Sequence, residues 1–127
     1  MDILVVEDDP IAIKIAGLII ARSNPDYKFS VVTTGAQAVD ACNTQQFDLI
    51  LLDIGLPDAD GFTVSNQIRD SKFNCRTPIY ALSAHIKSPF ELEETNRDST
   101  DGFITKPLSF EKLKDVISQV QSEISTT

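Results

Sequence analysis

At 127 residues the chain is the size of one domain, and 42% hydrophobic with 24% charged residues is close to the globular average, which excludes a disordered or collagen-like polymer. Nineteen acidic residues against eleven basic ones give a formal charge of −8, and the basic residues are scattered, which excludes a surface that follows a nucleic-acid backbone. The longest apolar stretch, Ile11 to Ala21, is broken by Lys14 and falls short of the ~20 residues that span a bilayer, and no basic segment precedes an apolar one at the N-terminus. A single cytoplasmic domain over residues 1–127 is therefore expected, without membrane insertion, and Cys42 and Cys75 are expected as two unpaired buried thiols.

The first apolar run, Ile3-Leu4-Val5-Val6, is strand-length and continuous, as suits a strand covered on both faces of a parallel sheet. Asp9-Pro10 then predicts a helix to about Arg22, with an acceptor at the N-cap and proline at the first helical position. Ser30-Val31-Val32 predicts a second strand, and Gln37 to Thr44 a short helix burying Ala38, Val39, Ala41 and Cys42. Leu49-Ile50-Leu51-Leu52 is the third strand; the turn formers Pro57-Asp58-Ala59-Asp60-Gly61 follow it, then a helix offering Phe62, Val64 and Ile68. Ile79-Tyr80-Ala81-Leu82 is the fourth strand. Ser88-Pro89-Phe90-Glu91 reads as a capping box opening a fourth helix, but Glu93 to Asp101 has no large apolar residue, so that helix is expected to be short, frayed or mobile. Gly102-Phe103-Ile104-Thr105 is the fifth strand. Phe110, Leu113, Val116, Ile117, Val120 and Ile124 recur at helical spacing and predict a final amphipathic helix capped by Ser109.

Strand and helix alternating five times predict an α/β fold, a doubly wound five-stranded parallel sheet with five helices. At this length the flavodoxin-like strand order 2-1-3-4-5 is the natural choice, and ligands of such sheets bind beyond the carboxyl ends of strands 1 and 3. Strand 1 delivers Glu7, Asp8 and Asp9 there, and strand 3 delivers Asp53. Asp9 is read as the helix cap. The other carboxylates would raise one another's proton affinity unless a cation compensated, and hard oxygen donors without histidine or cysteine favour magnesium or another hard cation over zinc. Strand 4 ends at Ser83 and strand 5 at Lys106-Pro107. A hydroxyl, an ammonium and a cation facing a carboxylate suit phosphoryl transfer, in which the carboxylate can act as nucleophile.

Four stretches carry these residues: Ile3-Leu4-Val5-Val6-Glu7-Asp8; Asp53-Ile54-Gly55-Leu56-Pro57 leading to Asp60-Gly61; Ala81-Leu82-Ser83-Ala84; and Gly102-Phe103-Ile104-Thr105-Lys106-Pro107. Together they resemble the receiver domain of the two-component response-regulator family, from Ile3 to about Ile124. The resemblance implies that Asp53 is the phosphoacceptor. It further implies that Glu7 and Asp8 hold magnesium (or manganese) directly or through water, with the Gly55 carbonyl as a further ligand. Ser83 and the Ala84 amide would bind phosphoryl oxygens, Lys106 would form the ion pair, and Phe103 would be the aromatic that moves with Ser83.

The implied donor is a phosphohistidine on a sensor histidine kinase or a histidine phosphotransfer protein. The output is a surface around the fourth helix and fifth strand that meets an unidentified downstream protein. His85, placed as in receivers of hybrid kinases, would tune phosphoryl lifetime. Such a domain is not an enzyme beyond catalysing its own phosphorylation and dephosphorylation. The resemblance weakens at Asn96-Arg97-Asp98-Ser99-Thr100-Asp101, where the family usually has small residues and a glycine. A phosphatase would need an acid where Gly55 stands, a flavin site would meet the wrong charge at Glu7-Asp8-Asp9, and a phosphorylation-independent interaction module has no need of the whole residue set. The chain is expected to be either a complete single-domain regulator or the receiver part of a larger protein.

Overall fold

A computed structural model describes residues 1–83 and 100–125 of the chain. Strands β1 (Asp2–Val6), β2 (Lys28–Val32), β3 (Leu49–Asp53), β4 (Ile79–Ser83) and β5 (Gly102–Thr105) form one parallel sheet in the order β2-β1-β3-β4-β5, as expected. Helices α1 (Pro10–Ser23), α2 (Gly35–Cys42), α3 (Gly61–Arg69) and α4 (Phe110–Ser125) complete it. Among the described residues there are four helices where the sequence predicts five in all: the helix expected from Ser88 lies in 84–99, outside the described residues, as do Ala84 and His85.

The continuous apolar strands are buried because both faces are covered. Ile3, Val5, Leu49, Leu51, Tyr80, Leu82 and Ile104 pack under α1 and α4 with Ile20, Leu113 and Val120. Leu4, Val6, Ile50, Leu52 and Ile79 pack under α2 and α3 with Ala38, Val64 and Ile68. In register, Val6 lies beside Leu52, Asp53 beside Leu82 and Ser83 beside Thr105, so the carboxyl ends of four strands open on one rim.

Local chemistry sets the element ends. Asp9 caps α1 by accepting from the Ile11 amide at 3.0 Å, and Ser109 caps α4 by accepting from the Lys112 amide at 3.2 Å. Helix α2 starts and stops earlier than its apolar pattern suggests. Thr34 accepts from the Gln37 amide, while Asp58, from the loop after β3, accepts from the Gly35 and Ala36 amides at 2.8 and 3.2 Å. The Gly35 amide bond holds the Asp58 carboxyl below its ordinary 3.8, in spite of the opposing cost of desolvation. β2 begins at Lys28 rather than Ser30, because Lys28 and Phe29 pair with Asp2 and Ile3 although their side chains are exposed. Cys42 is buried, but Cys75 is exposed in the connection between α3 and β4, which corrects the expectation of two buried thiols. Among the described residues no helix is long and apolar enough to cross a membrane.

Gly61, at the start of α3, lets this loop lie against β3. A Cβ there would come within 2.4 Å of the Ile54 Cα and 2.9 Å of the Asp53 carbonyl oxygen, both backbone atoms that cannot turn aside. Gly61→Ala is expected to lower stability by about 1–3 kcal/mol, as overpacking does, measured by urea unfolding.

Candidate functional site

The site is built where β1, β3 and β5 end together. Glu7 follows β1 directly, its amide donating to the Val32 carbonyl at 3.0 Å, and its side chain is 1% exposed. Asp53 is the last residue of β3 and is buried. Lys106 follows β5, its amide donating to the Ser83 carbonyl at 2.8 Å, and the Lys106-Pro107 peptide is cis. From there the ammonium reaches Glu7 Oε2 at 2.8 Å and Asp53 Oδ2 at 3.3 Å. The shorter contact is to Glu7, a pairing that strand-end reading missed because sequence order says nothing about which carboxylate an ammonium prefers.

The remaining carboxylate oxygens are also engaged. Asp53 Oδ1 accepts from the Gly55 amide at 3.0 Å, and Glu7 Oε1 accepts from the Asp9 amide at 3.2 Å. Glu7, Asp8 and Asp53 each offer a carboxylate oxygen within 4.8 Å of the others, with Asp8 exposed and the other two buried. Among the described residues this is the one such cluster. Three hard, anionic donors at this spacing, one of them open to solvent, fit a hard divalent cation.

The electrostatics follow from burial. Desolvation pushes the Glu7 carboxyl above its ordinary 4.5; Lys106 pulls it back, and Asp53 adds to the rise through its charge and hydrogen bonding. Burial pulls Lys106 down, but its pairing with Glu7 and Asp53 outweighs that and leaves it above its ordinary 10.5. Stability carried by Glu7 is therefore full below pH 4.5 and is lost as pH rises through its raised value; stability carried by Lys106 is full below pH 10.5 and is lost above its own.

The structure brings Glu7, Asp8, Asp53 and Lys106 together, and Gly55 joins them through its amide. Ser83 is buried at the end of β4, beside Thr105 in the sheet register. Phe103 is half-buried on β5 and packs edge-on against Phe62 of α3, with ring centres 6.4 Å apart and planes at 72°. Asp9 is the helix cap. Ala84 and His85 lie outside the described residues.

A family model of the response regulator receiver domain matches residues 3–118. The transcriptional regulatory protein BasR of Escherichia coli K12 is 32% identical over 113 residues, a match covering 89% of this chain and 49% of BasR. The signal transduction histidine-protein kinase BarA of the same strain is 27% identical over 117 residues, covering 92% of this chain and 12% of BarA. The chain thus spans about half or less of these relatives. Among solved structures, the receiver domain of the sensor histidine kinase PA1611 from Pseudomonas aeruginosa, with magnesium coordinated in its active-site cleft, aligns with a TM-score of 0.81 at 28% identity, covering 93% of this chain and 94% of that one. The chemotaxis response regulator CheY4 of Vibrio cholerae shares the fold, with a TM-score of 0.83 at 23% identity over 94% of this chain and 97% of that one.

Asp53 raises the proton affinity of Glu7, so removing its charge relieves a repulsion in the metal-free protein. In Asp53→Asn the Glu7 carboxyl is therefore expected to titrate lower than in the unaltered protein, because a group that raises it is gone while Lys106 stays beside it. Carboxyl-carbon NMR titration of the two metal-free proteins measures it.

Proposed function

The chain belongs to the response regulator receiver domain family of two-component signalling, and on that basis we propose that Asp53 accepts a phosphoryl group from a partner phosphohistidine. The supporting observation is the Asp53 carboxylate at the end of β3, with the Lys106 ammonium 3.3 Å from one oxygen and two further carboxylates grouped beside it. In the transfer, an Asp53 oxygen attacks phosphorus in line with the leaving imidazole nitrogen. The new O–P bond forms as the N–P bond breaks, and its electron pair returns to the partner's imidazole.

Lys106 moves its contact from the Asp53 oxygen to an oxygen of the incoming group, offsetting charge where it develops. The Gly55 amide holds the other Asp53 oxygen in place during attack. Glu7, Asp8 and Asp53, with the Gly55 carbonyl, would hold magnesium, which supplies charge neutralisation at the phosphoryl oxygens when bound. Ser83, buried at the rim, donates its hydroxyl to the phosphoryl group, and Phe103 shifts with it to alter the surface along β5. The chemistry stops at the domain's own phosphorylation and dephosphorylation, because Gly55 offers no acid for repeated ester turnover. The site of action is the cytoplasm, where a kinase or phosphotransfer protein presents its phosphohistidine.

The donor's docking surface follows from α1. Ala16 and Ile20 are buried, yet Ile11 and Leu18 are 71% and 63% exposed, and with half-exposed Ile15 they form a second apolar stripe facing outward. Between α1 and the segment after β5 lies a cavity of about 340 Å³, lined by Ala12, Ile15, Leu82 and Leu108 and reaching Glu7 and Lys106. An apolar helix face placed beside the reacting carboxylate suits the helix that carries the donor histidine.

Incubation with acetyl phosphate and magnesium is expected to add one phosphoryl group by intact mass, with no gain without magnesium or in Asp53→Asn. No gain under any condition, including with a phosphorylated phosphotransfer domain, would leave a phosphorylation-independent interaction module. Ile11→Asp with Leu18→Asp is expected to slow transfer from a phosphorylated histidine phosphotransfer domain at least about tenfold, the effect of losing roughly 1.4 kcal/mol of docking, while leaving the acetyl phosphate rate unchanged.

A further inference from the structure

Lys112 stands where helix physics disfavours a cation. It lies in the first turn of α4, where the unpaired amides and the dipole favour acids. It is also three residues after the cap Ser109, the place where a capping box carries glutamate or glutamine. The Lys112 ammonium does not extend away from the helix. It turns back and donates to the carbonyl oxygens of Thr105 at 2.9 Å and Pro107 at 3.2 Å, the two residues that flank Lys106.

The segment after β5 has reason to need this tie. β5 is a four-residue strand at the sheet edge, and among the described residues β4 is the strand its backbone pairs with. Beyond its end, the Lys106 amide keeps one sheet-like bond, to the Ser83 carbonyl. Lys106 must nevertheless hold its ammonium within hydrogen-bonding reach of Glu7 and Asp53.

We propose that Lys112 is a positioning residue for phosphoryl transfer, its ammonium pinning the carbonyls on both sides of Lys106 so that the Lys106 side chain can change partner without its backbone shifting. The proposal rests on the receiver reading of Asp53 and Lys106. Lys112 touches neither the reacting carboxylate nor the incoming group, and its effect passes through the backbone of Thr105, Lys106 and Pro107.

Three substitutions separate positioning from simple support of the fold. Lys112→Met keeps the length of the side chain and removes its donors. Lys112→Glu removes the donors but completes the capping box and suits the dipole. Lys112→Arg keeps donors for both carbonyls. At saturating magnesium and acetyl phosphate, the methionine and glutamate variants are expected to phosphorylate about 3- to 10-fold more slowly than the unaltered protein, the scale of one typical hydrogen bond, since the effect reaches the reacting groups only through the backbone. The arginine variant is expected within about twofold of it, and the glutamate variant to melt no lower. Amide spectra of the metal-free proteins, recorded without phosphodonor, are expected to show shifts at Thr105, Lys106 and Leu108 for methionine and glutamate but not for arginine.

A methionine variant with unaltered rate and unaltered amides overturns the proposal, as does slowing that simply follows melting temperature across the three variants. Failure of the unaltered chain to accept a phosphoryl group would instead overturn the receiver reading. The amide spectra then decide the tie by themselves: shifts at 105–108 in the methionine variant sustain it, and their absence overturns it.

Discussion

A single ammonium lies between two buried carboxylates, and the arrangement of strands can be understood as the means of putting it there. Glu7 comes from β1, Asp53 from β3 and Lys106 from the end of β5, three segments remote in sequence whose carboxyl ends meet on one rim. Without Lys106 the buried Glu7 would face Asp53 with no counter-charge, and an unpaired buried charge is among the most costly features a fold can carry. With it, the pair is tolerated, but Glu7 still keeps a raised proton affinity. The site is therefore stable enough to persist and unsatisfied enough to welcome a further cation.

That balance also explains why the surroundings are so firmly tied. Gly61 allows the loop after β3 to press on the Asp53 backbone, and the Gly55 amide fixes one oxygen of its carboxylate. Asp58 fastens the same loop to the first turn of α2. Each contact removes a freedom from groups that repel one another, so their repulsion is held as readiness to bind a cation and is not relaxed by movement.

The sequence made the strands and the rim residues legible for a physical reason: strands buried on both faces leave continuous apolar runs, and the residue after each run is set on the rim by the strand itself. Caps supplied by a neighbouring residue were legible too, as at Asp9 and Ser109. What escaped depends on partners distant in sequence. The start of α2 is set partly by Asp58, more than twenty residues away, so its apolar spacing alone misplaced it. Asn74 gave no signal, yet it is fully buried, donating to the carbonyls of Cys42 and Gln45 and accepting from the Phe47 amide and the Thr77 hydroxyl. Cys75, next to it, points outward, because a loop residue's burial is not written in any periodicity. Lys112 lies off the apolar spacing of its helix, and nothing in that spacing marks the Thr105 and Pro107 carbonyls that it reaches.

The order of the strands along the chain has a consequence for biogenesis. The N-terminal part emerges first from the ribosome, so β1 and β3, with Glu7 and Asp53, can pair before β5 exists. Such a nascent sheet would hold the acids without their ammonium and would expose the inner edge that β4 and β5 later cover. The full charge set thus arrives only after the last strand, and a chain cut short before Lys106 would hold Glu7 and Asp53 with no ammonium between them even if most of its core had formed.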